Sequence, residues 1–278
     1  MPTEPDTDPA DGDAIYLPKG GDVFVPTDLA RGPWDPNAQH GGPPAALLAR
    51  CIERHEPEPD LFVSRVTVEL LRPVPILPLT LTTRTIRPGK RVQLVETTMR
   101  EGDREVARAV GLRTRKAHLD DAPMTPPIDA PPDPDSVDNP WAGFGMPGKG
   151  FISHAVELRP VSMGSMGGAA GSGTPGKGTV WFRARVPLVA GEEIGPVSRV
   201  LMAADAQGGM SSVLDFATYT FINPDITVYL HRVPADEWVC LDAQTWVDPG
   251  GTGMAESVLF DRLGRIGRGS QALSIARR

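Results

Sequence analysis

The sequence has few cysteines, no excess of basic residues and no long apolar run, and each absence excludes a class of protein. Its two cysteines, Cys51 and Cys240, are too few for a disulfide framework or a cysteine-based metal site. The formal net charge of −7 disfavours nucleic-acid binding, which needs a basic face that displaces counterions. No segment is apolar over the length needed to cross a bilayer, so no membrane span is predicted.

The first residues also lack the features of a secretory signal. Residues 1–13 are acidic, without the basic start or the apolar stretch that a signal peptide needs. We therefore expect a disordered acidic tail on a cytoplasmic protein. The chain as a whole, with 40% hydrophobic and 23% charged residues, has the composition of a soluble globular protein.

A glycine-rich segment, GSGTPGKGT at residues 171–179, is similar to a phosphate-binding loop but departs from its pattern. Gly176 and Lys177 fit G-x-x-x-x-G-K-[ST], whereas Gly178 takes the place of the hydroxyl that binds Mg²⁺. Such a loop must also open a helix, and the residues that follow, TVWFRARV, alternate like a strand. We interpret residues 163–178 as a Gly/Ser loop between two strands and expect no nucleotide.

A segment rich in proline and aspartate divides the chain. Residues 119–148 contain so many prolines that neither a helix nor a sheet is expected to run through them. We therefore predict a linker between an N-terminal unit at residues 14–118 and a C-terminal unit at residues 149–278.

The two units repeat each other at a constant shift of 160 residues. The segment VTVELLRPVP aligns with ITVYLHRVPA, and the shift pairs these identical residues: Thr67 with Thr227, Arg72 with Arg232, Thr85 with Thr245, Glu96 with Glu256, and Arg108 with Arg268. An unchanged register over this length is hard to obtain by chance. We infer that one domain was duplicated.

Each unit is predicted to contain a helix followed by antiparallel strands. Apolar residues form a helical stripe in HGGPPAALLARCIERHE and again in PVSRVLMAADAQGGMSSVLDF. The segments RVTVELLRP and LTLTTRTIRP alternate with period two, as half-buried antiparallel strands do. The predicted fold class is α+β, with two long helices each wrapped by a curved antiparallel β-sheet, an arrangement called a double hotdog.

Five segments, in their order and spacing, resemble the acyl-CoA thioesterase II family of double-hotdog hydrolases: QHGGPPAALLAR, RVTVELLRPVPI, LMAADAQGG, DITVYLHR and GSQALSIAR. The resemblance covers residues 14–278. It implies hydrolysis of a fatty acyl-CoA to free acid and CoA, without a metal or redox cofactor. By analogy with other hotdog proteins we also expect a homodimer.

The resemblance further implies a catalytic trio of Asp, Thr and Gln. The Asp corresponds to Asp205 and the Gln to Gln271. The position of the family's Thr is occupied by Asn223, and a hydroxyl follows four residues later at Thr227. Three alternatives follow: the trio tolerates Asn, Thr227 substitutes for the Thr, or activity is reduced. Residues 223 and 227 share strand parity and are expected to face the same side, and Asn223 is favoured.

Thioester hydrolysis needs a water made nucleophilic and a site for negative charge on the carbonyl oxygen. Asp205 follows the apolar stripe of its helix, where an ionised carboxylate is costly to bury without partners, so its position fits a general base. The structural alternatives are a partly solvated carboxylate, or one bonded to the Gly208–Gly209 segment. Without the resemblance, Gln271 would be interpreted as an ordinary exposed residue of a strand.

The start of the first helix is the second candidate part of the site. Gly41 and Gly42 allow backbone N–H groups to approach the thioester oxygen of a substrate, with His40 as a neighbour. The structural alternative for these glycines is a tight entry into the helix. All three residues are candidate substrate-binding residues.

The first unit is expected to lack a counterpart of the site. The shift of 160 relates Asp205 to Ala45 and Gln271 to Gly111, so we expect one site per chain. Arg232 is interpreted as part of the fold, because Arg72 repeats it in the first unit, where the shift gives Asp205 no acidic counterpart.

The sequence also bears on three other functions. A hotdog hydratase would need a His five residues after its Asp, and Met210 stands there. A serine hydrolase would need G-x-S-x-G, which does not occur. A non-catalytic protein that binds acyl-CoA or lipid would keep the tunnel without the acid; Asp205 argues against it and Asn223 leaves it open.

Overall fold

The computed structural model describes residues 13–121, 123, 125–137, 149–163 and 174–278. Most of the expected acidic tail, the end of the expected linker and much of the expected Gly/Ser loop lie outside the described residues. The strand expected after that loop is present, and it begins at Lys177.

The described residues form three α-helices and thirteen strands. The α-helices are α1 (Gly42–Arg54), α2 (Pro196–Ala204) and α3 (Gln207–Met210). Short 3-10 turns occur at Asp28–Ala30 and Pro134–Ser136, and a π-helical turn at Phe151–Ala155. The strands are β1 (Tyr16–Pro18), β2 (Val23–Pro26), β3 (Leu61–Leu70), β4 (Leu79–Arg87), β5 (Val92–Glu101), β6 (Arg104–Arg115), β7 (Val156–Ser162), β8 (Lys177–Ala184), β9 (Tyr219–Ile222), β10 (Asp225–Leu230), β11 (Val239–Asp248), β12 (Thr252–Asp261) and β13 (Gly264–Arg277).

One antiparallel sheet runs through both units. Its strand order is β1-β2-β4-β5-β6-β3-β10-β13-β12-β11-β8-β7, and β9 pairs with β13 beside this path. The units meet at the β3–β10 pair, so the sheet of one unit continues directly into that of the other.

The duplication is visible in the strand register. Thr67 lies opposite Thr227 in the β3–β10 pair, which places a pseudo-two-fold axis between two residues related by the shift of 160. The β5–β6 and β12–β13 pairs each contain a bulge at the same repeat position, after Met99 and after Leu259. Strands β3–β6 and β10–β13 therefore repeat in detail, as the sequence predicts.

The helices lie side by side on the sheet and share one core with it. Leu47, Leu48 and Ile52 of α1 and Val200 and Leu201 of α2 are fully buried in a single apolar cluster. Burying each such side chain stabilises the fold by about 1.5–3 kcal/mol. The cluster spans both units, so the described residues of the two units fold around a common core.

The second helix is shorter than the sequence predicts. α1 has 13 residues, whereas α2 has 9 and is separated from the four-residue α3 by a turn at Asp205 and Ala206. Gly208 and Gly209, each about 1 kcal/mol less favourable than alanine in a helix, weaken the helical pattern beyond this turn. Asp205 therefore ends a helix instead of lying within one.

The described part of the linker is bound to the C-terminal unit. Trp181 Nε1 donates to the carbonyl of Pro132 at 2.9 Å, and Asp135 accepts from Arg262 at 2.6 Å and from Arg159 at 3.1 Å. The segment packs against a small cluster that contains buried Trp181 and Trp238 and is separate from the main core. It also contains a short 3-10 turn that was not predicted from the sequence.

A buried ion pair joins the segment after β10 to the end of β12 in the C-terminal unit. Asp261 is 0% exposed, and Arg232 donates to both its carboxylate oxygens, with Nη1–Oδ2 at 2.5 Å. Burial alone would raise the pKa of Asp261, but hydrogen bonds from Arg232 and from the N–H groups of Ala235 and Leu263 outweigh it and hold that pKa below its ordinary value. The structural role of Arg232 is thus visible in its contacts.

Replacement of Arg232 by methionine is expected to destabilise the protein by about 3–5 kcal/mol, because it leaves a buried carboxylate without its counter-charge. Urea unfolding followed by tryptophan fluorescence measures the change. Arg72→Met at the exposed repeat position is the matched control and should stay within about 0.5 kcal/mol of wild type. Equal stability of the two variants would contradict the role given to the ion pair.

Candidate active site

A cavity of about 1100 Å³ lies where the two units meet. The N-terminal unit lines it with residues between Gly32 and Gly41 and between Leu70 and Val74. The C-terminal unit contributes Asp205, the glycines of α3, residues 216–224 and the last part of β13. The volume exceeds the roughly 300–1,000 Å³ of pockets that hold drug-sized ligands, so a larger ligand fits.

Asp205 is the buried acid of this cavity. It is 5% exposed, and its two carboxylate oxygens have different partners. Oδ1 accepts from Asn223 Nδ2 at 2.8 Å, and Oδ2 lies 2.6 Å from His40 Nδ1. The turn between α2 and α3 places this carboxylate against the N-terminus of α1, where the helix dipole and free N–H groups favour negative charge.

His40 connects the carboxylate to the start of α1. Its Nδ1 lies 2.6 Å from Asp205 Oδ2 and 3.2 Å from the nitrogen of Gly42. In a neutral imidazole one nitrogen is either donor or acceptor, so Nδ1 cannot satisfy both neighbours. The shorter contact is with an acceptor-only carboxylate, which requires that Nδ1–H donates to Asp205. The contact of Nδ1 with the Gly42 nitrogen is the longer and weaker of the two.

The two glycines that begin α1 have different reasons to lack a side chain. A Cβ on Gly41 would lie 2.5 Å from Asp205 Oδ1, so the carboxylate occupies that space. A Cβ on Gly42 would lie 2.8 Å from the carbonyl oxygen of Met202 and would also meet the ring of Phe151. Gly41 thus makes room for the acid, whereas Gly42 makes room for helix packing.

The donors at this helix start are limited by the sequence. Pro43 and Pro44 have no N–H, so only Gly41 and Gly42 offer backbone donors in the first turn of α1. Gly41 also lines the cavity, and Gly42 does not. The four residues from Gly41 to Pro44 therefore form the tight entry into α1 and also determine which backbone donors it offers.

Gln271 is brought to the cavity on β13 and is 3% exposed, so it is not an ordinary exposed strand residue. Its Oε1 accepts from Gln207 Nε2 at 3.2 Å, and Gln207 Oε1 accepts from Ser257 at 2.8 Å. Its Nε2 lies against Gly208, where a Cβ would be 2.7 Å away. Asp205, Asn223, His40, Gly41 and Gln271 therefore surround one cavity.

Thr227 is not brought to the site. Its hydroxyl donates to the hydroxyl of Thr67 at 3.2 Å on the pseudo-two-fold axis, and it is not among the described residues that line the cavity. The parity argument that joined it to Asn223 does not hold, because β9 ends at Ile222 and β10 begins only at Asp225. The interruption turns Asn223 toward Asp205.

The first unit does have an acid in the corresponding place. Gly41 precedes α1 and Gly195 precedes α2, and these two positions are not related by the shift of 160. The shift therefore does not hold in the helices, and the predicted relation of Asp205 to Ala45 is wrong. A Cβ on Gly195 would meet the carboxylate of Glu53 as one on Gly41 would meet Asp205. The structural counterpart of Asp205 is therefore Glu53.

The junction that holds Glu53 is closed. Its carboxylate accepts from the N–H groups of Val197 at 2.9 Å and Ser198 at 3.2 Å, and from the Ser198 hydroxyl at 2.6 Å. Burial raises the pKa of Glu53 against these hydrogen bonds, which favour its charged form. Because Glu53 itself occupies the donors of α2, this junction offers none of them to a ligand.

Aromatic residues of the cavity were missed in the sequence. Trp34 stacks on Phe216 with ring centroids 5.6 Å apart and meets Phe221 edge-on at 5.1 Å, while the guanidinium of Arg278 lies over Trp34 at 5.2 Å. These residues come from distant loops and strands and share no periodicity, so no local pattern links them. Gln207 was missed because the sequence predicts a continuous helix, in which its side chain would point in another direction. The turn at Asp205 and Ala206 changes that direction.

These features define an α+β protein of two fused, repeated units with a carboxylate-bearing cavity at one of their two junctions. Comparison with protein families adds the next step. Residues 30–114 match the acyl-CoA thioesterase N-terminal domain, and residues 126–275 match the acyl-CoA thioesterase C-terminal domain. The chain belongs to the acyl-CoA thioesterase II family.

Solved structures show the same fold at low sequence identity. Acyl-CoA thioesterase II TesB2 from Mycobacterium marinum is 15% identical, with 95% of this chain and 96% of that chain covered at a TM-score of 0.65. The tesB protein of Mycobacterium avium subsp. paratuberculosis is 17% identical, with 94% and 95% covered at 0.65. A hotdog-fold protein of unknown function from Alicyclobacillus acidocaldarius is 15% identical, with 96% and 97% covered at 0.69. The fold is therefore a hotdog fold.

A search of curated protein sequences finds no match. None of the helices in the described ranges is both long and apolar enough to cross a membrane. Across the same residues, no group of three or more His, Cys, Asp or Glu side chains is placed to hold a metal ion.

Gly41→Ala is expected to lower kcat for acyl-CoA hydrolysis by roughly 10- to 100-fold, because the new methyl group displaces the Asp205 carboxylate. The backbone φ of Gly41 is −66°, so alanine is otherwise tolerated and the unfolding midpoint should change little. Gly195→Ala is the matched control, since its methyl group would displace Glu53 at the closed junction. It should reduce stability and leave kcat unchanged; the opposite pattern would contradict the assignment of the two junctions.

Proposed function

We propose that the protein hydrolyses fatty acyl-CoA thioesters to free acid and CoA, with a water activated by Asp205. The observation that carries this proposal is a buried carboxylate held against the N-terminus of α1 at the wall of a large, mainly apolar cavity. A buried acid costs folding free energy unless it is fully paired, and groups kept at such a cost are concentrated at functional sites. Asn223 and His40 satisfy one position on each oxygen and leave further lone pairs for water.

The reaction follows from this arrangement. Asp205 accepts a proton from a water as the water oxygen attacks the thioester carbon. The carbonyl oxygen becomes negatively charged and is stabilised by the N–H of Gly41, with that of Gly42 next to it at the positive end of the helix dipole. Collapse of the tetrahedral intermediate breaks the C–S bond, the leaving sulfur takes up the proton held by Asp205, and CoA and the free acid are released with the carboxylate regenerated.

Asn223 and Gln271 complete the proposed site. Asn223 donates to Asp205 Oδ1 and so holds this carboxylate in place, a role that a threonine hydroxyl in the same place could also fill. The NH2 group of Gln271 is a donor for the attacking water or the thioester oxygen. Thr227 is left out, because its hydroxyl is bonded at the pseudo-two-fold axis.

Two arginines are candidates for binding the CoA phosphates. Arg72 and Arg278 line the cavity, and both are exposed. Arg72 has no acidic partner among the described residues, unlike its repeat partner Arg232. Of the two repeat-related arginines, Arg232 is therefore bonded within the fold, whereas Arg72 is exposed at the cavity, where a CoA phosphate can contact it.

The central test is an acyl-CoA panel assayed for release of free thiol. Wild type should hydrolyse at least one fatty acyl-CoA, and Asp205→Asn should lower kcat about a hundredfold, the scale for losing a general base. Substrate binding by the variant, measured by calorimetry, serves as the control for an intact cavity. Binding without turnover by wild type would favour the alternative, a non-catalytic acyl-CoA or lipid-binding protein.

His40 variants separate an orienting role from proton transfer. The amide nitrogen of asparagine takes the place of Nδ1, so His40→Asn keeps a donor to Asp205 and removes Nε2. Since Asp205 is the proposed base, this variant should remain within about tenfold of wild type, whereas His40→Leu should lose more. An Asn variant as inactive as Asp205→Asn would show that His40 itself transfers the proton.

Arg72→Met and Arg278→Met should each raise KM for acyl-CoA roughly tenfold, the scale of one hydrogen bond to a charged group. The same acyl group on N-acetylcysteamine lacks the phosphates and serves as the control substrate. Its kcat/KM should be the same in wild type and both variants. An equal loss on both substrates would place the arginines in the fold and not in phosphate binding.

One observation favours a second function, hydration of an enoyl-CoA. That reaction needs a carboxylate and an imidazole together, and tertiary contact supplies the His that the helix of Asp205 lacks. Loss of enoyl absorbance without thiol release would support it.

The cytoplasmic location and the homodimer remain predictions. Light scattering tests the homodimer.

A further inference from the structure

Gln207 is a buried polar residue for which the fold alone gives no reason. It is 0% exposed at the start of α3, and it is not among the described residues that line the cavity. A buried amide without partners would cost roughly 1–3 kcal/mol, so its hydrogen bonds indicate what it is kept for. Both side-chain hydrogen bonds of Gln207 lead toward Gln271 and the strand beside it.

The hydrogen bonds of Gln207 fix the orientation of the Gln271 amide. Ser257 donates to Gln207 Oε1 at 2.8 Å, and Gln207 Nε2 donates to Gln271 Oε1 at 3.2 Å. Since the carbonyl end of Gln271 is held in this way, its NH2 group occupies the other end of the amide, against Gly208. Gln271 therefore offers a donor and not an acceptor.

The pseudo-symmetric place in the first unit has no such network. Gly111 stands where the repeat has Gln271, and the side chain of Ile52 fills the space above it. Thr97, the repeat partner of Ser257, bonds to Thr83 at 3.0 Å instead. The polar chain from Ser257 to Gln271 exists only beside the junction that contains Asp205, so it belongs to the site and not to the duplicated fold.

We propose that Gln207 is a positioning residue, which holds the Gln271 amide with its NH2 group available to donate to the thioester oxygen or the attacking water. The proposal rests on the proposed thioesterase function. Gln207 does not line the cavity, so it acts through Gln271. Gly208 also helps to position the Gln271 amide, because any side chain at residue 208 would displace the Nε2 atom of Gln271.

Gln207→Met, which keeps length and removes the amide, tests the proposal with an acyl-CoA that wild type hydrolyses. We expect kcat to fall about tenfold or more with KM nearly unchanged, because the donor is misplaced while the cavity stays intact. In the Gln271→Met background the same substitution should have no further effect on kcat. Additive losses, or a wild-type kcat in Gln207→Met, would overturn the positioning role.

Two further variants keep the test decisive. Gly208→Ala leaves Gln207 in place and pushes on Gln271, so it should also lower kcat even if Gln207→Met folds poorly. Ser257→Ala removes only the far end of the network and should lower kcat less than Gln207→Met does. Absence of hydrolysis by wild type would refute the proposed function itself, whereas active wild type with an active Gly208→Ala variant would refute only this inference.

Discussion

The pairing of β3 with β10 is the constraint on which the rest of the structure depends. It joins two copies of one unit about an axis through Thr67 and Thr227, so the sheet is continuous and the two helices lie side by side in opposite directions. The start of each helix then faces the end of the other. Two equivalent junctions follow from this symmetry, each with a helix N-terminus from one unit and an acid from the other.

The two junctions differ in what the acid does. Glu53 reaches the N–H groups of α2 and satisfies them itself, as a helix cap does. Asp205 has a shorter side chain and bonds to Asn223 and His40, which leaves the N–H of Gly41 unoccupied in the part of the chain that the structure describes. One closed junction stabilises the pair of helices, and one open junction borders the cavity. The asymmetry thus lies in a few side chains on a symmetric backbone.

Much of the fold and part of the site could be predicted from the sequence. Period-two alternation and the shift of 160 locate the strands, because strand register depends on local pattern and the repeat preserves it. Asp205, Asn223 and Gln271 were found through the resemblance, and Gly41 with its neighbour His40 through the glycine pair at the start of the first helix. The structure brings all five around one cavity. Their catalytic roles are still predictions.

The sequence by itself determined the duplication, the strand pattern and the residue types available for chemistry, since these follow from periodicity and composition. Only the tertiary structure decided which side chains meet. The turn after Ala204 changed the direction of Asp205, the break at Pro224 separated Asn223 from Thr227, and the helix crossing made Glu53 the counterpart of Asp205. Contacts between units depend on chain direction at a few turns, and a constant shift along the sequence does not contain that information.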